Sequence, residues 1–288
     1  MASFRESTVI LRTRAEELCL PVGFLMAMTP LMLLAARGLH FNFTDIYASI
    51  FVGSAFFIFL GSRPTRGELW ATLGLTLAAL FFRYSWALVF LGTVSTMVLG
   101  VRSVKKKECL PIFWSAMFFI CGNLCLKIAL NLGSALIHNT WDWNFYSFDA
   151  SLGLPGYTLG RLLANNPTLD GVTGLAYMSL GPGIAMVHAG QLWNGRQNSA
   201  KIVPVATSAF IVGYGLYFVM PGVGPAYAFP NTFPWHPPAL PNLIGPGYFS
   251  NTYRNAMPSL HLTLAMLLAW HAREFKRPGD SSRAHSCW

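Results

Sequence analysis

Charge is what this chain has least of. Of its 288 residues 11% are charged and 53% are hydrophobic, whereas soluble domains carry about a quarter charged residues. A soluble globular protein is thereby excluded. Acidic residues are scarcer still, 11 against 20 Lys and Arg, leaving a net charge of +9. The basic residues lie in short clusters between apolar runs, the pattern of cytoplasmic loops in membrane proteins. No nucleic-acid recognition module accompanies them, so nucleic acid is not an expected partner. The five cysteines make neither a disulfide framework nor a zinc set. Cys121 and Cys125, one helical turn apart in an apolar run, read as small buried hydrophobes. No metal-ligand spacing, glycine-rich nucleotide loop or internal repeat is present, so neither metal nor cofactor is expected.

What the chain does have is apolar runs, at roughly 18–36, 46–61, 69–82, 84–101, 110–137, 171–193, 202–220 and 257–272. Several approach the length that crosses a bilayer. The first follows Arg5, Arg12 and Arg14 and exceeds the ~7–15 residues of a signal-peptide core, so it reads as an uncleaved first span. The stretch 69–101 is too long for one crossing at about 1.5 Å per residue, yet Arg83-Tyr84-Ser85 leaves little room for a loop. Charge favours two crossings. Arg63 with Arg66, the "RSVKKK" cluster at 102–107, Arg196 with Lys201, and Arg273 with Lys276 and Arg277 then share one side with the N-terminus. The expectation is an all-α, polytopic transmembrane bundle of about eight spans, both termini cytoplasmic, in a bacterial inner membrane. Residues 1–137 would supply N-terminal spans and 138–288 the core.

Two long segments face the other side. One, 138–170, carries Trp141, Trp143, Phe145, Tyr146 and Phe148, suited to the headgroup region. Within it "GYTLGRLLANN" suits a short interfacial helix. The other, 221–256, holds eight of the chain's 18 prolines. Its interleaved Tyr227, Phe229, Trp235 and Tyr253 point to an ordered cap rather than a linker.

"RNAMPSLH" at 254–261 opens the last apolar run. Proline suits the first turn of a helix, and Asn255 or Ser259 can satisfy its free N–H groups. A helix start attracts anions. Arg254 adds a fork matched to phosphate oxygens, and His261 carries a proton near neutral pH. The cluster therefore suits a phosphate at the membrane surface whose leaving oxygen needs a proton, with Arg254 and Ser259 binding phosphate and His261 as general acid. A plain capping motif with a snorkelling arginine fits the same residues. Asp142 and Asp149 read either as solvated loop carboxylates or as support that orients a histidine. His188, inside the sixth span, is either functional or a hydrogen-bonded packing residue. With the "GPG" at 181–183, which should break or kink its span, it leaves a small-solute transporter as one alternative. A non-catalytic membrane protein that binds lipid headgroups is another.

"NAMPSLH" at 255–261 resembles the second motif of the type 2 phosphatidic acid phosphatase superfamily, in its inositol phosphorylceramide synthase-like branch. "YFVMPGVGPAYAFP" at 217–230 and "WDWNFYSFDASLGLP" at 141–155 resemble segments that precede that motif. The resemblance implies a lipid phosphatase or phosphotransferase acting on phospholipid or lipid phosphate at the non-cytoplasmic face, without metal or cofactor. A histidine nucleophile would form a phospho-histidine, an aspartate would orient it, and His261 would protonate the leaving alcohol. The Lys…Arg-Pro first motif has no clean copy. A nucleophile motif two spans beyond His261 has none either, since Ser282, Arg283 and His285 lack the spacing. The expectation is a truncated or frame-shifted relative with little turnover alone, or one completed by a partner. Membrane lipids are the expected partners; a homo-oligomer is left open.

Overall fold

The structure is a computed structural model and describes residues 43–80, 84–193, 202–241, 247–248 and 259–273. The expected first span, Arg254, Asn255 and Pro258 lie outside the described residues, as does the side chain of Lys127.

The run 46–61 forms α1 (Phe43–Gly53) and α2 (Ala55–Gly61). They join at Ser54, whose N–H and hydroxyl both donate to the Ile50 carbonyl at 3.0 and 2.8 Å. The stretch 69–101 is two helices packed side by side, α3 (Arg66–Leu80) and α4 (Tyr84–Lys105). A capping box opens α3: the Thr65 N–H donates to Glu68 at 2.7 Å, and the Glu68 N–H to the Thr65 hydroxyl at 3.3 Å. A short 3-10 turn then leads into α5 (Leu110–Leu136), with Pro111 in its first turn.

The sixth run is split in two, as its "GPG" requires. Helix α8 (Pro167–Met178) ends and α9 (Leu180–Trp193) begins around Ser179. The discontinuity lies just ahead of the triplet because Pro182 cannot donate to the carbonyl four residues back, at Met178, and its ring crowds that carbonyl. Helix α10 (Ile202–Val219) follows, and α12 (Leu260–Ala272) ends the described bundle. Between α5 and α8 lie α6 (Asp142–Ser151) and α7 (Pro155–Ala164), the latter on the "GYTLGRLLANN" stretch. A single turn, α11 (Pro225–Ala228), follows α10.

Among the described residues, three helices are long and apolar enough to cross a membrane: Ala87–Lys105, Lys107–Leu136 and Ile202–Val219. Ile46–Gly61 and Leu260–Ala272 are apolar but shorter. The eight spans expected from the sequence are not shown among the described residues, where three helices have the length and apolarity to cross.

Contacts fix which ends lie together. Arg63 donates to the Trp193 carbonyl at 2.9 Å and stacks over its indole. Arg102 donates to the Ser62 hydroxyl at 3.0 Å and pairs with Glu68 at 3.6 Å. The ends of α2, α4 and α9 and the start of α3 therefore meet at one basic end. At the opposite end the two outer segments dock together.

The core runs between these ends. Phe51 is its hub, with ring centroids 5.2 Å from Phe119, 5.9 Å from Phe118 and 6.1 Å from Phe210. Ile58, Phe59, Leu99, Ile184, Ala189 and Leu264 are almost fully buried around it. Lipid is as apolar as these side chains, so close packing rather than water exclusion holds such helices together. Glycine permits the closest approaches: a Cβ on Gly92 would stand 2.1 Å from the Val52 carbonyl oxygen, and one on Gly61 2.7 Å from the Ala189 Cα. Hydroxyls inside the helices, such as Thr72, Ser95, Thr96 and Thr207, donate to carbonyls four residues back. They bring no unpaired donor into the membrane. Large apolar side chains including Trp70, Val104, Trp114, Ile211, Met266 and Trp270 face outward. Cys121 and Cys125 are on that exposed surface too, not buried as their place in an apolar run suggested. An amphipathic pattern cannot be read where both faces of a helix are apolar.

Candidate functional site

Two features frame the site: the cap over the end opposite the basic clusters and the helix start beneath it. The cap is built on Asp142. Its carboxylate is buried and accepts from the Val223 N–H at 3.1 Å and the Gly224 N–H at 2.9 Å. Gly224 has φ of +85°, where a side chain would be strained. A Cβ on Gly222 would meet the Phe145 ring at 2.8 Å. These two positions explain the spacing of "PGVGP". The Trp141 N–H donates to the Pro221 carbonyl at 2.8 Å, and Asn139–Thr140 pairs antiparallel with Gly247–Tyr248. Tyr146 donates to the Pro238 carbonyl. Phe229 packs on Trp143 and Tyr146, and Phe233 on the fully buried Tyr157. The ordered proline-rich cap expected from the sequence is therefore present over residues 221–241.

Neither outer aspartate is a freely solvated loop carboxylate. Asp142 anchors the cap. Asp149 accepts from the Gly156 N–H at 3.3 Å and so caps the start of α7. Burial raises the Tyr146 hydroxyl above its ordinary pKa, and nearby Tyr157 and Asp149 push the same way. Tyr157 is also raised, again chiefly by burial.

Helix α12 starts at Leu260, two residues after the Pro258 that the sequence placed in its first turn. Ser259 is its N-cap, and its hydroxyl oxygen accepts from the Leu262 N–H at 3.3 Å. Leu260 is buried against α10, and its N–H faces the Tyr217 hydroxyl. Part of the free N–H set at this helix start is thus already engaged. His261 stands in the first turn, sandwiched by aromatic rings. Tyr177 stacks on it with centroids 3.9 Å apart and planes 25° from parallel. Tyr47 meets it edge-on at 5.6 Å. His261 also lines a cavity of about 30 Å³ with Tyr217, Asn123 and Leu264. That volume holds a water or two, too little for a phosphoester. Among the described residues no carboxylate or second histidine pairs with His261. Asp142 and Asp149 form their bonds within the cap, and His188 and His271 are buried elsewhere in the bundle.

The tyrosines were not among the sequence candidates. Tyr47 and Tyr177 sit near ends of apolar runs, and Tyr217 and Tyr214 are one turn apart near the end of another. Polar-tipped rings converging on one end of several runs were the available signal. Nothing in the sequence showed that these ends meet at His261.

Residues 143–280 match the family model of the PAP2 superfamily. No curated protein and no solved structure matches the chain. The PAP2 match begins in α6 and runs through the cap, α8, α9, α10 and α12. It covers Asp149, Tyr177, Ser259 and His261 but begins one residue after Asp142. The chain is thus similar to this superfamily over 138 of its 288 residues, and three of the described helices are long and apolar enough to cross a membrane.

Proposed function

We propose that the chain is a membrane-embedded lipid phosphatase or phosphotransferase of the inositol phosphorylceramide synthase-like kind, working on lipid phosphoesters at the non-cytoplasmic face. The observation that carries this reading is His261, held in the first turn of a capped helix beneath the aromatic cap, within the PAP2-matched stretch. A nucleophile attacks phosphorus, the P–O bond to the lipid alcohol breaks, and the protonated imidazole of His261 gives its proton to the departing oxygen. Water as acceptor makes the reaction a hydrolysis; a lipid alcohol makes it a headgroup transfer. Ser259 and Arg254 are the proposed phosphate ligands. Ser259 is the N-cap and its oxygen accepts from the Leu262 N–H, which leaves its hydroxyl hydrogen as the donor proposed for phosphate. Asp142 and Asp149 support the reaction only by shaping the cap over the site.

The phospho-histidine route needs a nucleophilic histidine opposite His261, and among the described residues none faces it. A second reading follows from that: a protein that holds a phospholipid headgroup without turning it over. The test separates the two. Phosphate release and headgroup transfer from phosphatidic acid are measured for the full chain in lipid nanodiscs, alone and co-expressed with a helical pair carrying a His-to-Asp motif. Turnover that His261→Ala lowers by roughly 10²–10⁴-fold, as loss of a general acid does, supports the enzyme. Full activity in His261→Ala, or labelling that places residue 261 on the cytosolic side, overturns it. Binding of phosphatidic acid with no turnover in either preparation leaves the second reading.

A further inference from the structure

A cavity of about 920 Å³ lies not at His261 but toward the basic end. It opens between the first halves of α5 and α10, with α9 behind. Residues of α10 mark the separation: Val203 and Thr207 line this cavity, whereas Tyr217 lines the small one, roughly 15 Å further at about 1.5 Å per residue. Its size is that of a pocket for a small organic ligand, and its walls are mainly apolar, including Ile112, Met117, Phe118 and Leu192.

His188 forms part of the wall. It is 2% exposed, and neither imidazole nitrogen has a hydrogen-bond partner. A neutral imidazole brings one donor and one acceptor. The nearby hydroxyls have spent their hydrogens: Ser115 donates to the Pro111 carbonyl and Thr207 to the Val203 carbonyl. They keep only acceptor capacity. The one charged residue on the described wall is Glu108, so that wall presents no cation to an anionic headgroup. A cation held by the wall is not supported, since no group of three His, Cys, Asp or Glu side chains occurs among the described residues.

We infer that this cavity is a second lipid site that takes the acyl portion of an uncharged lipid alcohol, with the alcohol hydroxyl bonded to His188. A hydroxyl donates and accepts at once, as the imidazole and the spent hydroxyls require. A carboxylate or fully ionised phosphate offers only acceptors and finds no cation on the described wall. The inference is independent of His261, because no residue is shared between the two cavities.

Cys121 gives a direct readout. It lines the cavity and is exposed, and Cys125 is exposed one turn further along α5 outside it. Variants of the full chain retaining Cys121 alone or Cys125 alone are placed in phosphatidylcholine nanodiscs and alkylated with a maleimide. The probe is diacylglycerol, with phosphatidic acid of the same chains as comparison. The expected result is several-fold slower alkylation of Cys121 with diacylglycerol, little change with phosphatidic acid, and no change at Cys125. His188→Leu should abolish the protection and His188→Gln, which keeps a donor and an acceptor, should retain part of it. Should His188→Leu not accumulate, Thr207→Trp, which fills the cavity from α10, must abolish it instead. His261→Ala must leave it intact. Equal protection by both lipids, protection that survives His188→Leu or Thr207→Trp, or a Cys121 already shielded before diacylglycerol is added overturns the assignment. The last outcome would point to a segment of the chain, such as the apolar 18–36 run, as the occupant.

Discussion

The cap and the bundle are held by different physics. In the cap a few directed contacts set the geometry: the Asp142 carboxylate on two backbone N–H groups, the Tyr146 hydroxyl on a carbonyl, and Asp149 on the start of α7. In the bundle directed contacts between helices are few and shape decides, with glycine at the closest approaches. The contrast follows from solvent. Where polar groups and water mix, a specific acceptor is valuable. Within lipid only fit distinguishes one helix neighbour from another. Loss of an acceptor should therefore loosen the cap locally, whereas an added methyl group in the bundle should disturb whole helices.

Asp142→Ala is the largest expected effect on stability. Two charge-assisted bonds disappear, one to the buried Val223 N–H and one to the part-buried Gly224 N–H, at about 1.5–3 kcal/mol each before relaxation, so about 3 kcal/mol is the expected net loss. Hydrogen exchange should speed at Val223 and Gly224 while amides of α5 and α10 stay protected. Uniform deprotection across the bundle would show that cap and bundle form one cooperative unit. Asp142→Asn, which keeps one acceptor oxygen, should lose about half as much.

Gly92→Val tests the other side of the contrast. Its Cβ would lie 2.1 Å from a backbone oxygen of α1, which cannot rotate away. Overpacking of this kind costs typically about 1–3 kcal/mol. The expected signature is a lower thermal midpoint, with faster exchange in α1, α2 and α4 and an unchanged cap. A neutral outcome would mean that these helices slide freely and that their close approach carries no stability.

This difference also explains what the sequence made legible. The cap was readable because its chemistry is local: prolines with interleaved aromatics for 221–256, and an amphipathic stretch for α7. The start of α12 was readable for the same reason, since Ser259 and Pro258 mark a helix N-terminus in any setting. The division of 69–101 into two helices came from arithmetic on length and charge. The role of Asp142 was hidden because its partners, Val223 and Gly224, lie some eighty positions away. The tyrosine sandwich around His261 was hidden likewise, since Tyr47, Tyr177 and His261 belong to three different runs. Exposed Cys121 and Cys125 were misread because lipid-facing and core-facing residues are equally apolar.

At the start of α12 aromatic rings pack on His261, and Tyr177 tests whether ring or hydroxyl holds it. Tyr177→Phe keeps the stacked ring and Tyr177→Leu removes it. An aromatic pair is worth roughly 0.5–1.5 kcal/mol beyond its buried area. The leucine variant should therefore lower the thermal midpoint by the equivalent of about 1 kcal/mol and broaden the His261 ring resonances in a histidine-labelled sample. The phenylalanine variant should do neither. If both variants behave alike, the Tyr177 hydroxyl rather than its ring face holds the imidazole.

The smallest effect is a pH dependence confined to the cap. Tyr157 is fully buried under Phe233. Burial raises its pKa; the Thr232 side chain offsets this in part, and the Asp149 charge adds to it. A raised folded-state pKa contributes stability that is complete below the unfolded tyrosine value of about 10 and is lost as pH climbs from there through the folded value. The aromatic near-ultraviolet dichroism of the cap should accordingly decline above about pH 10 while far-ultraviolet helicity from the bundle persists. Tyr157→Phe removes the ionisable group and leaves the ring packing, so its alkaline transition should move upward. An unmoved transition would assign the loss to Tyr146, whose pKa burial also raises and whose hydroxyl holds Pro238. Simultaneous loss of helicity would show instead that the bundle depends on the cap, and the two-part description would give way to a single cooperative fold.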